Sequence, residues 1–201
     1  MTDFANLPAD ITPAQFFDLV GAALANEPAP AGAAPDKLVI HIDGAAGGVW
    51  NLGFEGGGLK IQAGGAEAPP LQVSISQADL TSFIAGEMRD ALKARAGGRS
   101  IDASQMGKLF KITSKTEQVK SYKGDLQIVL EAAAKTHRLT LTFGGTPPNA
   151  AAPTTTVSLA QDDFFAMLDG QLQPQAAFFA GKIRLDGDMN LAMGLMALAV
   201  G

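Results

Sequence analysis

The side chains that most often do chemistry are sparse in this sequence. It has no cysteine, which excludes thiolate nucleophiles, disulfides and cysteine-based zinc or iron–sulfur sites. Its only two histidines are His41 and His137. His41 alternates with apolar residues of a strand and is expected to point outward. His137 lies between Lys135 and Arg138 in what reads as a solvated hairpin turn. Neither has metal-ligand spacing. Asp162 with Asp163, and Asp186 with Asp188, form carboxylate pairs of the kind that can perform acid–base work. They fall at a helix start and in a turn, where capping accounts for them. The run Gly56-Gly57-Gly58 lacks the Lys and Ser/Thr of a phosphate loop and reads as a turn. No nucleophile–base pair or metal set stands out, so the expectation is a binding protein, not an enzyme, with no cofactor.

The remaining candidates are apolar. Near the end of the chain Met189, Met193 and Met196 recur close to helical spacing, as do Leu191, Leu195 and Leu198, in a helix predicted over 189–200. Methionine is flexible and polarisable and adapts to ligands of varied shape. A helix apolar almost all round is either buried on several sides or covers a cavity. The competing reading of such a stripe is plain core packing.

Composition agrees with this emphasis. Hydrophobic residues make up 47% of the 201 positions, charged residues 17% and aromatics 6%, so aliphatic side chains must carry the packing. The net charge of −5 argues against nucleic acid and against nonspecific docking on anionic membranes, leaving at most transient membrane contact. Lys108, Lys111, Lys115, Lys120 and Lys123 form a local basic run. It reads as a solvated helix face and linker, with an acidic headgroup or partner as the alternative. The N-terminus lacks the basic and apolar regions of a secretory signal, and no apolar stretch approaches the ~20 residues of a membrane span, so a cytoplasmic protein is expected.

The elements that would position these residues follow from periodicity. Thr12 caps a helix over 13–26, with Pro13 at its first position and Phe16, Phe17, Val20 and Leu24 on one face. A Pro/Ala linker follows. Strands are predicted over 38–42, 49–54, 59–62 and 71–76, their short connections suggesting an antiparallel meander. Ser76 caps a helix carrying Leu80, Phe83, Ile84 and Met88, and a further helix is read over 103–112. Alternation then restarts in Leu126, Ile128 and Leu130, in Leu139, Leu141 and Phe143, and over 155–159. A helix is predicted over 160–172, then a strand over 182–185.

The restart looks like a repeat. Val73-Ser74-Ile75-Ser76-Gln77-Ala78-Asp79 parallels Val157-Ser158-Leu159-Ala160-Gln161-Asp162-Asp163, each followed by an apolar helix and a glycine, Gly86 or Gly170. Leu52-Gly53-Phe54 parallels Leu141-Thr142-Phe143, and Gly97 and Asp102 parallel Gly181 and Asp186. The halves are unequal: the second lacks a counterpart to the strand at 59–62, and the first lacks the Met-rich ending. Two units are expected, 1–118 and 119–201.

The segment from Phe178-Phe179-Ala180-Gly181-Lys182-Ile183 through Asp188-Met189-Asn190-Leu191-Ala192-Met193 resembles the terminal signature of sterol-carrier-protein-2 domains. Thr156 to Leu159, Asp163-Phe164 and Gly170 extend the resemblance. Trp50 sits where family members often carry an aromatic on a strand. The resemblance implies an α+β, SCP-2-like fold: a mostly antiparallel sheet with helices on one face, here as two related halves, with an apolar tunnel for a fatty acyl chain or sterol-like lipid. The residues expected to bind that ligand are Trp50, Phe164, Phe165, Leu168, Phe178, Phe179, Ile183, Met189, Leu191, Met193 and Met196. The alternative is a structural or protein-interaction module, oligomeric and with its cavity filled. Sequence alone leaves the oligomeric state open.

Overall fold

A computed structural model describes residues 4–25, 38–55, 58–67, 69–95, 121–133 and 135–192. The helix predicted over 103–112, the Pro/Ala linker, most of the basic run and residues 193–201 lie outside the described residues. A short 3₁₀ turn, Phe4–Asn6, precedes α1 (Pro13–Leu24). Then come β1 (Leu38–Asp43), β2 (Gly48–Glu55), β3 (Gly58–Ala63), β4 (Leu71–Ser76), α2 (Gln77–Ala85) and α3 (Glu87–Arg95). The second half supplies β5 (Gly124–Glu131), β6 (Thr136–Phe143), β7 (Thr155–Ala160), α4 (Gln161–Leu168), α5 (Pro174–Phe179) and β8 (Ile183–Gly187).

All eight strands join one mixed sheet in the order β3-β2-β1-β4-β6-β5-β7-β8. Five pairings are antiparallel, and two, β1 with β4 and β5 with β7, are parallel. The expected simple meander therefore holds only for β1 to β3. β4 does not continue beside β3 but crosses to the far side of β1, since a parallel partner can be reached only by a crossover. The polar face of the sheet holds this connection: Asn51 Nδ2 donates to the Gly64 carbonyl at 3.0 Å. The β6–β7 connection is held likewise, with Gln127 Nε2 donating to Ala150 O at 2.9 Å and Asn149 N–H donating to Asp125 Oδ1 at 3.2 Å. These bonds satisfy side chains that are buried yet polar, as burial requires.

Each half thus uses the same local plan, an antiparallel hairpin followed by a crossover to a strand parallel with its first member. The halves meet where β4 pairs with β6, Leu71 opposite Phe143 and Ile75 opposite Leu139.

Strand alternation gives the sheet one continuous apolar face. In register across it run Trp50, Ile40, Val73, Leu141 and Leu126. The next rung carries Ile42, Ile75, Leu139, Ile128, Val157 and Leu185. Helices cover this face. α1 buries Phe16, Phe17, Val20 and Leu24, and the Phe17 ring lies 4.8 Å from that of Trp50. Its start is fixed by a capping box: Gln15 N–H donates to Thr12 Oγ1 and Thr12 N–H donates to Gln15 Oε1. Thr12→Ala is therefore expected to lower stability by about 1 kcal/mol, read as a shift in the chemical denaturation midpoint at unchanged slope.

Candidate ligand site

The apolar face is packed in two clusters. The first joins α1, the N-terminal turn and the sheet from β3 to β6, with Phe17, Trp50, Leu52, Leu71, Phe143 and Leu191 among its buried members. The second gathers Met88 of α3, Leu130, Leu159, Phe165 of α4, Ala177 of α5 and Ile183 of β8. Phe83, Ile128 and Val157 pack against both clusters and are only partly buried. They mark the zone where the two cores adjoin.

This arrangement divides the residues expected to bind ligand. Trp50 and Leu191 are buried in the first cluster, at 9% and 3% exposure. Phe165 and Ile183 are buried in the second, with Phe164 and Phe178 packed against it. Phe179, 86% exposed, and Met189, 53% exposed, lie on the surface and line neither cluster. Phe179 ends α5, a short helix that the sequence reading missed, and its ring stacks edgewise on Phe178 at 5.9 Å. The side chains of Leu168, Met193 and Met196 lie outside those described. The three bridging residues, Phe83 of α2, Ile128 of β5 and Val157 of β7, are not among the residues expected to bind ligand. A surface cleft of about 700 Å³ beside α1, lined by Pro8, Asp10, Ile11, Thr12, Gln15, Asp18 and Leu19, touches none of the expected ligand residues.

One polar group intrudes on the apolar face. His137 is not solvated in a turn as expected. It lies within β6, opposite Leu130 of β5, and is 1% exposed. The physical reason is parity: it stands two residues before Leu139 and therefore points to the same side. Its Nδ1 lies 3.0 Å from Asp79 Oδ1 of α2, and the Phe83 ring packs edgewise on the imidazole at 5.7 Å. Asp79 also accepts from Ser76 Oγ at 2.8 Å and from the Arg138 N–H at 3.4 Å, with Lys135 Nζ at 3.5 Å. Burial pushes the Asp79 carboxyl up. The hydrogen bonds from Ser76, His137 and Arg138 and the charge of Lys135 outweigh it, holding the group below its ordinary value of 3.8. Asp79 here extends the sheet. The β4–β6 ladder ends at Ile75 and Leu139, and the carboxylate takes the next free N–H of β6.

The other carboxylate pairs behave as caps and surface ion pairs. Asp188 Oδ1 accepts from the N–H groups of Asn190 and Leu191 at the start of the last helix, and Asp163 pairs with Lys182. Ser76 caps α2 through the Asp79 N–H at 3.0 Å, whereas Ala160, at the matching position before α4, offers no side-chain cap. Among the described residues no group of three or more His, Asp or Glu is placed to hold a metal ion, and no helix is long and apolar enough to cross a membrane.

These features define an α+β protein with one apolar sheet face beneath helices. Residues 103–200 match the SCP-2 sterol transfer family. Sterol carrier protein 2 of Homo sapiens is 46% identical over 43 residues, covering 21% of this chain and 8% of that protein. Hydroxysteroid dehydrogenase-like protein 2 of Xenopus tropicalis is 32% identical over 114 residues, covering 52% of this chain and 27% of that protein. The chain thus spans a small part of the curated relatives it matches. Among solved structures, sterol carrier protein 2 like 2 of Aedes aegypti is 26% identical, covering 37% of this chain and 72% of that one, with a TM-score of 0.34.

Proposed function

We propose that this protein binds an apolar lipid, a fatty acyl chain or sterol-like molecule, between the apolar sheet face and its helices, without chemistry on the ligand. The observation that carries the reading is the zone around Phe83, Ile128 and Val157, aliphatic and aromatic, partly uncovered, and flanked by two packed clusters. Such surface favours an apolar guest by roughly 25 cal/mol per Å² removed from water. The match of residues 103–200 to the SCP-2 sterol transfer family supports it. The proposed setting is the cytoplasm, with at most transient membrane contact.

Native mass spectrometry, followed by titration with a fluorescent acyl chain and a fluorescent sterol, tests this. A lipid adduct or saturable uptake is expected, weakened about tenfold or more in Val157→Phe, which adds volume where the guest would lie. No adduct and no uptake by natively folded protein would overturn the reading. The exposed Phe179 favours a second one, an interaction module whose apolar tip meets another chain. Phe179→Ser abolishing self-association, in protein that takes up no lipid, would favour that alternative.

We also propose that 1–118 and 119–201 are two related units fused through a single sheet. The shared pairing plan supports this. In the first unit β6 occupies the place beside β4 that β8 takes beside β7 in the second, and both contacts are antiparallel. In the second unit β4 occupies the place beside β6 that β3 takes beside β2 in the first, again antiparallel. Each unit thereby fills the edge that the other leaves short.

A further inference from the structure

We infer that His137 Nε2 and Ser82 Oγ form the polar end of the lipid site and select a guest that carries a hydroxyl group; this rests on the lipid-binding reading above. Two side-chain atoms among the described residues are buried without a hydrogen-bond partner, and they are these two. Buried polar groups are nearly always paired, because an unsatisfied one forfeits its hydration without recompense. Two orphans in one neighbourhood therefore ask for an occupant.

They do share a neighbourhood. Ser82 stands three residues after Asp79 on α2, so the two lie on one helix face a turn apart, and both are buried. His137 is bonded to Asp79 on that face, and Phe83, next to Ser82, packs on the imidazole. Phe83 is also one of the three residues bridging the two apolar clusters. The orphan atoms thus border the zone proposed to hold the lipid.

The chemistry of the guest follows from the partners already in place. Asp79 is ionised and can only accept, so His137 Nδ1 donates to it, and a neutral imidazole then presents its Nε2 lone pair. Ser82 Oγ can donate. One hydroxyl satisfies both, donating to Nε2 while accepting from Ser82. The charged groups facing the imidazole are Asp79 at 3.0 Å, Glu87, whose Oε1 lies 3.7 Å from Nε2 and so beyond hydrogen-bond reach, and Lys135, bound to Asp79. With two carboxylates and one ammonium already there, a further carboxylate is repelled by Glu87, whereas a neutral hydroxyl is not. The Glu87 side chain is 62% exposed and free to swing aside.

The test is displacement of a neutral hydrocarbon probe, diphenylhexatriene, by matched guests: hexadecanol and hexadecane, cholestanol and cholestane, with palmitate as the carboxylate. At least one alcohol is expected to displace the probe at about a tenfold lower concentration than its parent hydrocarbon, and hexadecanol more readily than palmitate. Ser82→Ala is expected to bring that ratio near unity. Ser82→Ala removes an unpaired hydroxyl and so should leave the unfolding midpoint unchanged or raised, which separates its effect from misfolding. Equal displacement by alcohol and hydrocarbon, a ratio untouched in Ser82→Ala, or preference for palmitate would overturn this inference alone. Failure of the probe to bind folded protein would overturn the lipid reading and this inference with it.

Discussion

Phe143→Ala lowers the stability of the whole molecule by about 3–5 kcal/mol and shifts a single unfolding transition. Phe143 is fully buried, at 0% exposure, and stands where the halves meet: its backbone pairs with Leu71 of β4 on one side and Gly124 of β5 on the other. The Tyr122 ring packs edgewise against it at 6.3 Å. Truncation to alanine removes the transfer free energy of the ring and leaves a void in the first apolar cluster, on the sheet face where strands of both halves meet. The surrounding packed side chains relax only partly into it. If the two units were independent domains, calorimetry would show two transitions with one displaced. A shared sheet makes them one cooperative unit, so the calorimetric and van't Hoff enthalpies should agree in wild type and variant alike. Two resolved transitions, or a loss below about 1 kcal/mol, would show that the β4–β6 seam does not couple the halves.

Local elements were largely legible in the sequence, because their signals are local. The capping box of Thr12 and Gln15 and the Ser76 cap need only residues three apart, and strand alternation needs only residues two apart. Placement was less legible. Nothing in Leu71 to Ser76 says whether β4 lies beside β3 or β1, since an alternating strand presents the same face to either neighbour. The choice is made by distant polar anchors such as Asn51 on Gly64 and Gln72 on Thr146, which are not local pairs. The residues expected to bind ligand are a similar case. Trp50, Phe165, Ile183 and Leu191 are buried apolar residues, yet they fall into two separate clusters, a division that only the sheet order reveals. His137 illustrates the opposite case. Its inward direction was available from parity with Leu139, Leu141 and Phe143, but beginning the strand at Leu139 placed it in a turn. Phe179 shows that a signature residue need not face the interior: α5 turns Phe178 inward and Phe179 outward.

Asp79→Ala has an effect of comparable size and adds a dependence on pH. The carboxylate is buried at 8% exposure and serves Ser76, His137 and the Arg138 N–H together, at the point where the second half's β6 outruns the first half's β4. Removing it strands His137 Nδ1 and a backbone N–H away from water, and it also removes an acidic residue from the first turn of α2, where the helix dipole favours one. Breaking such a buried set from one side costs about 3–5 kcal/mol. Because the folded-state pKa of Asp79 is held below its ordinary 3.8, the unfolded state binds the proton more readily. The stability it contributes is therefore fully present above that ordinary value and lost as pH falls through the lowered folded value. Urea unfolding of the wild type and Asp79→Asn should differ by a constant amount at neutral pH and by progressively less below pH 3.8, as protonation makes the native carboxyl resemble the amide. A difference that stays constant through the acid range would mean that the charge on Asp79 contributes nothing, and that shape and hydrogen bonding alone hold α2 on β6. The same measurement bears on the seam, because the Asp79–His137 contact joins a helix of one half to a strand of the other. If acid loosens it, the α2 end of the interface should lose amide protection first, ahead of the β1–β2 hairpin that lies within the first half.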